Sequence, residues 1–220
     1  MSTDRINSKT LLAFGAPAVG AGYMYLLLAL YVMKFSTDVL LIAPAIMGLI
    51  FSVSRIWDAI SDPLVGYLSD RTTTSLGRRR TWILFSFVPI AIVCYEVFAP
   101  PFSLSGDALS WWMAASIIGF YSAMTIFFVP HMALGAELSN DYHERSRLFG
   151  LRHAFYTVGS ILSLGTMMLL LNEEFREGGD VRAMAEEYAL YAGVAMSVLV
   201  LYAVVYLRER PEFQGRLSSS

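Results

Sequence analysis

The sequence predicts an all-α integral membrane protein with six transmembrane helices. Hydrophobic residues make up 56% of the 220 residues and charged residues only 15%, whereas soluble domains have about 45–50% apolar and about 25% charged residues. The excess apolar residues fall in long runs that short polar segments separate. Because an unpaired backbone amide is costly in lipid, each run long enough to cross a bilayer is expected to be a helix.

The apolar runs can be justified in chain order. The first follows Arg5 and Lys9 and is too long for the core of a cleavable signal peptide. The second run contains charged residues, the third follows a run of arginines, and the fourth contains Pro130. The fifth run begins at Arg152. The sixth follows an acidic segment, 172–187, which we expect to be a solvated helical loop. The predicted spans are residues 11–33, 40–68, 82–98, 110–134, 152–171 and 188–207; they form one bundle over 1–210, followed by a polar cytoplasmic tail or linker stump at 211–220.

The distribution of positive charge predicts the orientation of the bundle. Lys and Arg concentrate in the cytoplasmic segments of membrane proteins. With the amino terminus inside, the inner segments hold twelve of the 16 Lys and Arg residues. We therefore expect both termini to be cytoplasmic. The net charge of −2 gives no reason to expect nucleic-acid binding, and the single cysteine, Cys94, excludes an intrachain disulfide bond.

Charged residues inside the second span indicate a cation site. Arg55, Asp58 and Asp62 are spaced so that they lie near one helical face, and an intramembrane carboxylate is costly unless it is paired, hydrated or protonated. Two carboxylates one turn apart, with the Ser61 hydroxyl nearby, can supply oxygen ligands to Na⁺, or one of them can hold a proton. The alternative is an Arg–Asp cluster that only fixes helix packing. Pro63 predicts a local break in this helix, which either exposes carbonyl oxygens to the cation or is an ordinary kink.

The segment after the second span combines an acid with several arginines. Asp70, at the predicted membrane edge, can pair with Arg71, Arg78 or Arg79. Ion pairs of this kind can break and re-form when a gate opens. The alternative is that the arginines only anchor the segment at the cytoplasmic surface.

These motifs resemble the major facilitator superfamily. The pattern Gly66-x-x-x-Asp70-Arg71, followed by Gly77-Arg78-Arg79, is similar to its signature loop, although the insert before the second glycine is longer. Within the superfamily the sequence resembles the glycoside–pentoside–hexuronide:cation symporters, the melibiose-permease-like family. The residues that carry this likeness are Arg55-Ile-Trp57-Asp58-Ala-Ile-Ser61-Asp62-Pro63, Val129-Pro130, Ala136-Glu137-Leu138, the polar run 141–148 and Arg152. The resemblance covers most of residues 1–215, and it implies that the protein lies in a bacterial inner (plasma) membrane.

The resemblance implies a fold, a function and a set of site residues. The fold is one major-facilitator-type bundle, a 3+3 inverted repeat, and the function is Na⁺- or H⁺-coupled secondary transport of a sugar or related small solute, with no other cofactor. Asp58 and Asp62 match the family's cation-binding carboxylates, Ser61 stands where melibiose permease has an asparagine, and Thr125 stands where it has a cation-site threonine. The implied charge-pair or gating residues are Arg55, Asp70, Arg71, Arg78, Arg79, Glu137, Arg145 and Arg152.

The sequence departs from the family at the sugar-binding acids. No acidic residue lies between Asp4 and Asp38, and the helix-four position two residues before Pro130 is Phe128. Melibiose-like galactosides are therefore disfavoured, while another glycoside, a uronide or a more apolar solute stays open. The candidate solute contacts are Tyr25, Trp57, Tyr121 and Phe128, which can stack on a sugar ring or can equally be packing residues.

One bundle is half of what a transporter of this superfamily needs, because the solute site lies between two bundles that rock about it. The expected partners are therefore the lipid bilayer, a small-molecule solute and a second six-helix bundle, supplied by a separate chain, by a missing carboxyl-terminal half or by a homodimer. The alternative function is a non-transporting membrane scaffold or partner subunit. We expect no enzyme, because the sequence has no metal-ligand spacing, nucleophile elbow or phosphate loop.

Overall fold

The structure is a computed structural model that describes residues 5–174 and 180–210, and all the regular elements in these ranges are helical. The α-helices are α1 (Ser8–Gly15), α2 (Pro17–Leu27), α3 (Pro44–Arg71), α4 (Arg78–Phe98), α5 (Gly106–Glu137), α6 (Tyr142–Glu174) and α7 (Val181–Tyr206). Two π-helical turns, Leu28–Val32 and Phe35–Val39, extend α2. Helices satisfy their own backbone hydrogen bonds, which is what lipid requires of a spanning segment.

The helices overlap all the predicted spans but differ from them at their ends. α3 begins at Pro44 rather than at residue 40, because proline is well placed in the first helical turn. α6 begins at Tyr142, well before residue 152, since a helix continues through polar residues that a count of apolar residues excludes. Within the acidic segment, α6 ends at Glu174 and α7 begins at Val181, and residues 175–179 lie outside the described part, as does the predicted tail 211–220.

Among the described residues, five helical stretches are long and apolar enough to cross a membrane. They are Ser8–Val32, Arg78–Phe98, Gly106–Glu137, Tyr142–Asn172 and Val181–Tyr206. The remaining long helix, α3, has 28 residues, which is sufficient length at about 1.5 Å per residue. It falls short in apolar character because its middle carries Arg55, Asp58 and Asp62.

The predicted break at Pro63 is wrong, because α3 runs without interruption from Pro44 to Arg71. Proline has no backbone N–H, so the carbonyl of Ala59, four residues earlier, lacks its helical donor while the helix continues on both sides. The helix therefore keeps Asp58 and Asp62 in helical register on the two sides of that carbonyl.

Each helix packs on particular neighbours. α4 lies between α5 and α7, α3 packs on α5, and α2 packs chiefly on α6. The α2–α6 pair approaches closely at Gly22 and Gly159, where a Cβ atom would overlap the backbone carbonyls of Tyr156 and Val19 respectively. Close approach at small residues is a common way to associate helices in membranes, where no hydrophobic force drives them together.

Two helices keep large apolar side chains exposed in the single chain. On α3 these include Ile56, Ile60 and Leu64, and on α6 they include Ile161 and Met168. The α6 stretch, Tyr142–Asn172, is the least buried of the five stretches that are long and apolar enough to cross a membrane. These outer faces therefore need lipid or another protein to cover them.

Candidate functional site

The two acids of α3 meet a hydroxyl of α5. Thr125 Oγ1 lies 2.8 Å from Oδ1 of Asp62 and 3.3 Å from Oδ1 of Asp58. A hydroxyl has one proton and so donates to one carboxylate at a time. Thr125 is buried, whereas Asp58 keeps 26% of its side chain exposed. Three oxygen-bearing side chains from two helices thus converge on one point, with a carboxylate still accessible.

This point opens on a cavity of about 400 Å³. Four helices contribute to its wall, namely α2, α3, α5 and α6. The lining residues are Tyr25, Asp58, Asp62, Thr125, Phe128, Arg152, His153 and Tyr156. The wall combines carboxylates, a guanidinium, an imidazole, hydroxyls and aromatic rings, a mixture that suits a polar solute with an apolar face.

Arg55 is a weak partner for the carboxylate pair. Its Nη1 lies 3.8 Å from Oδ2 of Asp58, and 60% of its side chain is exposed. Its guanidinium lies over the ring of Tyr121, 4.7 Å from the centroid. Since an exposed ion pair contributes little to stability, Arg55 leaves most of the negative charge of Asp58 and Asp62 uncompensated.

The Ser61 hydroxyl does not join the oxygen atoms of Asp58, Asp62 and Thr125. Its hydroxyl donates to the backbone carbonyl of Asp58 at 3.3 Å, and the side chain is buried outside the cavity wall. A serine inside a helix commonly makes such a bond to its own preceding turn. The oxygen atoms that the structure brings together are therefore those of Asp58, Asp62 and Thr125.

The four candidate solute contacts fall into two groups. Tyr25 and Phe128 line the cavity, and their rings meet edge to face at a centroid distance of 6.3 Å. Tyr121 is buried and packs beneath Arg55. Trp57 donates from its indole Nε1 to the hydroxyl of Ser122 at 2.7 Å, which fastens α3 to α5 away from the cavity.

A second cluster joins the end of α3, the start of α4 and the end of α5, and we call it the arginine cluster. Arg78 Nη2 lies 2.7 Å from Oε1 of Glu137, and Arg79 forms ion pairs with Asp70 and, at 3.5 Å, with Glu137. Arg79 also donates to the Ser69 hydroxyl at 2.8 Å. Both guanidinium groups are buried, so these bonds are shielded from solvent.

Two other predicted charge-pair residues behave differently. Arg71 lies over the ring of Tyr67, 4.1 Å from the centroid, instead of joining the cluster. Arg145, at the start of α6, forms no ion pair or hydrogen bond through its side chain with any residue in 5–174 or 180–210. Proximity in sequence to an acidic segment does not decide where a long flexible side chain points.

The structure reveals one cluster residue that sequence reasoning missed. The carboxylate of Glu209, beyond the end of α7, accepts the backbone N–H groups of Arg78, Arg79 and Arg80 at 3.1, 2.7 and 2.9 Å. It therefore caps α4, whose first amides have no partner within the helix. A lone acid between Arg208 and Arg210 was the available signal.

Two further missed residues, His153 and Tyr156, line the cavity from α6. Tyr156 is four residues from Arg152, a spacing that places both on one helical face. Among the described residues, no group of three or more His, Cys, Asp or Glu side chains could hold a metal ion.

Comparison with known proteins identifies the family of this chain. Residues 13–215 match the family described as MFS/sugar transport protein. The chain is similar to the inner membrane symporter YicJ of Escherichia coli (30% identity, 93% of this chain, 43% of the relative), to the sodium-dependent lysophosphatidylcholine symporter 1 of Xenopus tropicalis (31%, 81% and 39%) and to the isoprimeverose transporter of Lactiplantibacillus pentosus (30%, 86% and 39%).

These relatives are named as symporters or transporters rather than as enzymes, and the chain spans 39–43% of their length. The apolar helices and the matched family together identify an integral membrane protein. Because the family description matches nearly the whole chain, this protein belongs to the MFS/sugar transport family of the major facilitator superfamily.

Proposed function

We propose that this chain is the cation-binding half of a cation-coupled symporter for a small solute. Asp58, Asp62 and Thr125 hold the coupling ion at the wall of the cavity. The observation that carries the proposal is the Thr125 hydroxyl, which reaches both carboxylates from a neighbouring helix. A pair of acids kept only for helix packing would not need a shared donor beside an open cavity.

The coupling ion is Na⁺ or a proton. Hard cations take oxygen ligands, and the two carboxylates and the hydroxyl supply such ligands from α3 and α5. Two negative charges one turn apart repel each other, and either ion relieves that repulsion on binding. The sodium-dependent relative favours Na⁺ as the first ion to test.

The functional unit needs a second six-helix bundle. The relatives are more than twice as long as the matched region, and the exposed apolar faces of α3 and α6 flank the cavity that a second bundle would close. The partner is a second half of a longer chain, a separate chain or another copy. Its docking would place the cavity between two bundles, where alternating access occurs.

The arginine cluster is the proposed gate on the cytoplasmic side. Most of the Lys and Arg residues outside the spans lie at this end of the bundle or at the termini, which supports cytoplasmic termini under the positive-inside rule. Buried ion pairs among Asp70, Arg78, Arg79 and Glu137 hold α3, α4 and α5 together there. Exchange of these partners is a means of opening that end.

The test is calorimetric titration of the purified 220-residue protein in detergent with Na⁺, with choline at matched ionic strength as the reference. We expect saturable heat that Asp58→Asn abolishes. Asp38→Asn is the matched control, because it removes an equal charge outside the cavity. The hydrogen bond from the Lys34 ammonium holds the pKa of Asp38 below its usual range, so this carboxylate is ionised at neutral pH.

The two variants separate a specific site from a general effect of charge. Heat that survives in Asp58→Asn, or that disappears equally in Asp38→Asn, would contradict the proposed site. If the unmodified protein gives neither Na⁺ heat nor proton uptake by the carboxylate pair on titration, the alternative function, a non-transporting scaffold subunit, becomes the better explanation.

A further inference from the structure

Trp57 and Ser122 form a hydrogen bond between α3 and α5, the two helices that carry the proposed cation ligands. The indole Nε1 of Trp57 donates to Oγ of Ser122 at 2.7 Å. Trp57 immediately precedes Asp58 on α3. Ser122 lies one turn before Thr125, on the same face of α5. The two helices therefore meet at two successive levels, through this bond and through the contact of Thr125 with the carboxylates.

The direction of this bond is fixed on the α5 side. Ser122 donates its own proton to the backbone carbonyl of Ile118, one turn earlier, at 2.8 Å. Because a hydroxyl has one proton, Oγ of Ser122 meets Trp57 as an acceptor. The indole has one N–H group and accepts nothing in return. The bond therefore has a single donor and a single acceptor, and it defines an angle between the two helices as well as a distance.

Apolar packing constrains the rotation of α3 only weakly. α3 packs chiefly on α5, and it keeps apolar side chains such as Ile56 and Ile60 exposed. Further along, even a Cβ atom at Gly66 would make only van der Waals contact with Val129, so the two helices are not locked together there. Apolar contacts change little in energy when a helix turns slightly, whereas a hydrogen bond weakens steeply as its angle changes. The directional contacts of α3 therefore decide its rotation.

A small rotation of α3 is enough to disperse the cation ligands. Side-chain oxygen atoms lie about 6 Å from a helix axis, so a rotation of about 20° moves such an atom by about 2 Å. That displacement breaks the 2.8 Å contact between Asp62 and Thr125. A binding constellation works only when its groups are held to within about 0.5 Å of the productive geometry. The site therefore needs a contact that fixes the rotation of α3.

We propose that Trp57 is a positioning residue for the cation site. Its hydrogen bond to Ser122 fixes the rotation of α3 against α5, and this rotation holds both carboxylates within reach of Thr125. The inference rests on the proposed function, because it concerns how that site keeps its shape. Trp57 is 40% exposed, but in hydrocarbon no water replaces a broken hydrogen bond, so the exposure does not weaken this one. In this role Trp57 contacts neither the cation nor the solute.

The first experiment measures the geometry directly and needs no cation. In a full chain that carries Cys94→Ser, the changes Asp62→Cys and Thr125→Cys place two thiols where these side chains meet. Oxidation with copper phenanthroline in detergent should join them. Trp57→Phe should slow this cross-linking at least threefold, because the ring remains but the N–H donor is lost. Ser122→Ala should slow it to the same degree, and the combined variant should be no slower, since both changes remove one bond.

Na⁺ affinity of the chain without introduced cysteines is the second readout. Trp57→Phe and Ser122→Ala should each weaken Na⁺ binding at least threefold in calorimetric titration, a change typical of one hydrogen bond between membrane helices. Ser122→Thr, which keeps the hydroxyl, should bind Na⁺ normally. Trp82→Phe is the matched control, because it removes an indole hydrogen bond of 2.8 Å, to Thr72, outside the site. It should leave both cross-linking and Na⁺ affinity unchanged.

The two readouts separate this inference from the proposed function. If the unmodified protein binds no Na⁺ but Trp57→Phe still slows cross-linking, the cation site is refuted while the positioning of the two side chains stands. The positioning role is overturned if Trp57→Phe cross-links as fast as the parent chain, or if Trp82→Phe slows the reaction equally. It is also overturned if the unmodified protein binds Na⁺ and Trp57→Phe binds it with the same affinity.

Discussion

The carboxylate of Glu209 occupies the space that the missing side chain of Gly77 leaves. Gly77 has a φ of +114°, and a Cβ atom built there would lie 2.5 Å from Oε1 of Glu209. The same carboxylate accepts the first three backbone N–H groups of α4. The signature glycine is thus explained by a contact with the segment that follows α7, about 130 residues further along the chain.

Replacement of Glu209 should loosen the start of α4. Glu209→Ala removes the acceptor of buried amides, and a lost charge-assisted hydrogen bond costs about 1.5–3 kcal/mol. We expect a lower unfolding temperature in detergent and faster amide exchange at Arg78, Arg79 and Arg80. Glu209→Gln, which keeps an acceptor oxygen, should lower the unfolding temperature less than Glu209→Ala does. Unchanged exchange at these amides in Glu209→Ala would show that water can replace the cap.

Variants of Thr125 test whether this residue binds the cation or only packs between helices. Thr125→Val keeps the shape of the buried side chain but removes the hydroxyl that reaches Asp58 and Asp62. We expect Na⁺ affinity to fall at least tenfold, about 1.4 kcal/mol, whereas Thr125→Ser should bind Na⁺ nearly as well as the unmodified protein. Calorimetric titration checks both variants. Equal affinity in the valine variant would remove Thr125 from the cation site.

Glycines in α6 test how closely α2 and α6 must approach. Gly159→Ala places a methyl group against the backbone of Val19 and Tyr23, and overpacking of this kind costs about 1–3 kcal/mol. Gly165→Ala is the control because its Cβ meets open space, and alanine favours a helix by up to about 1 kcal/mol. Thermal unfolding in detergent should show a decrease for the first variant and no decrease for the second.

Glu137 tests the arginine cluster. Glu137→Gln removes the carboxylate that pairs with the buried Arg78 at 2.7 Å, and breaking a buried ion pair from one side costs about 3–5 kcal/mol. We expect a marked loss of stability and greater accessibility of the end of the bundle at Arg78 to a thiol probe on an introduced cysteine. Arg145→Gln should leave both measurements unchanged. Similar losses in the two variants would indicate a general effect of charge.

Much of the fold could be predicted from the sequence because lipid restricts a spanning segment to helix. The apolar runs overlap the long helices of residues 5–174 and 180–210, and the likeness at Asp58 and Asp62 identified the family that the comparison confirms. Helix ends were less predictable, since helical hydrogen bonding in α6 continues through the polar residues before Arg152. Pro63 was misleading because an uninterrupted helix tolerates a proline when its neighbours hold it in place.

The sequence by itself determined that Asp58 and Asp62 share a helical face, because their spacing alone places them one turn apart. Only the tertiary structure decided that Thr125 reaches both acids, that Glu209 caps α4 and that Arg152 lines the same cavity. The physical reason is that apolar residues surround a membrane helix on nearly every side. Hydropathy therefore defines where such a helix lies but not its rotation, which close packing such as that of α2 on α6 sets.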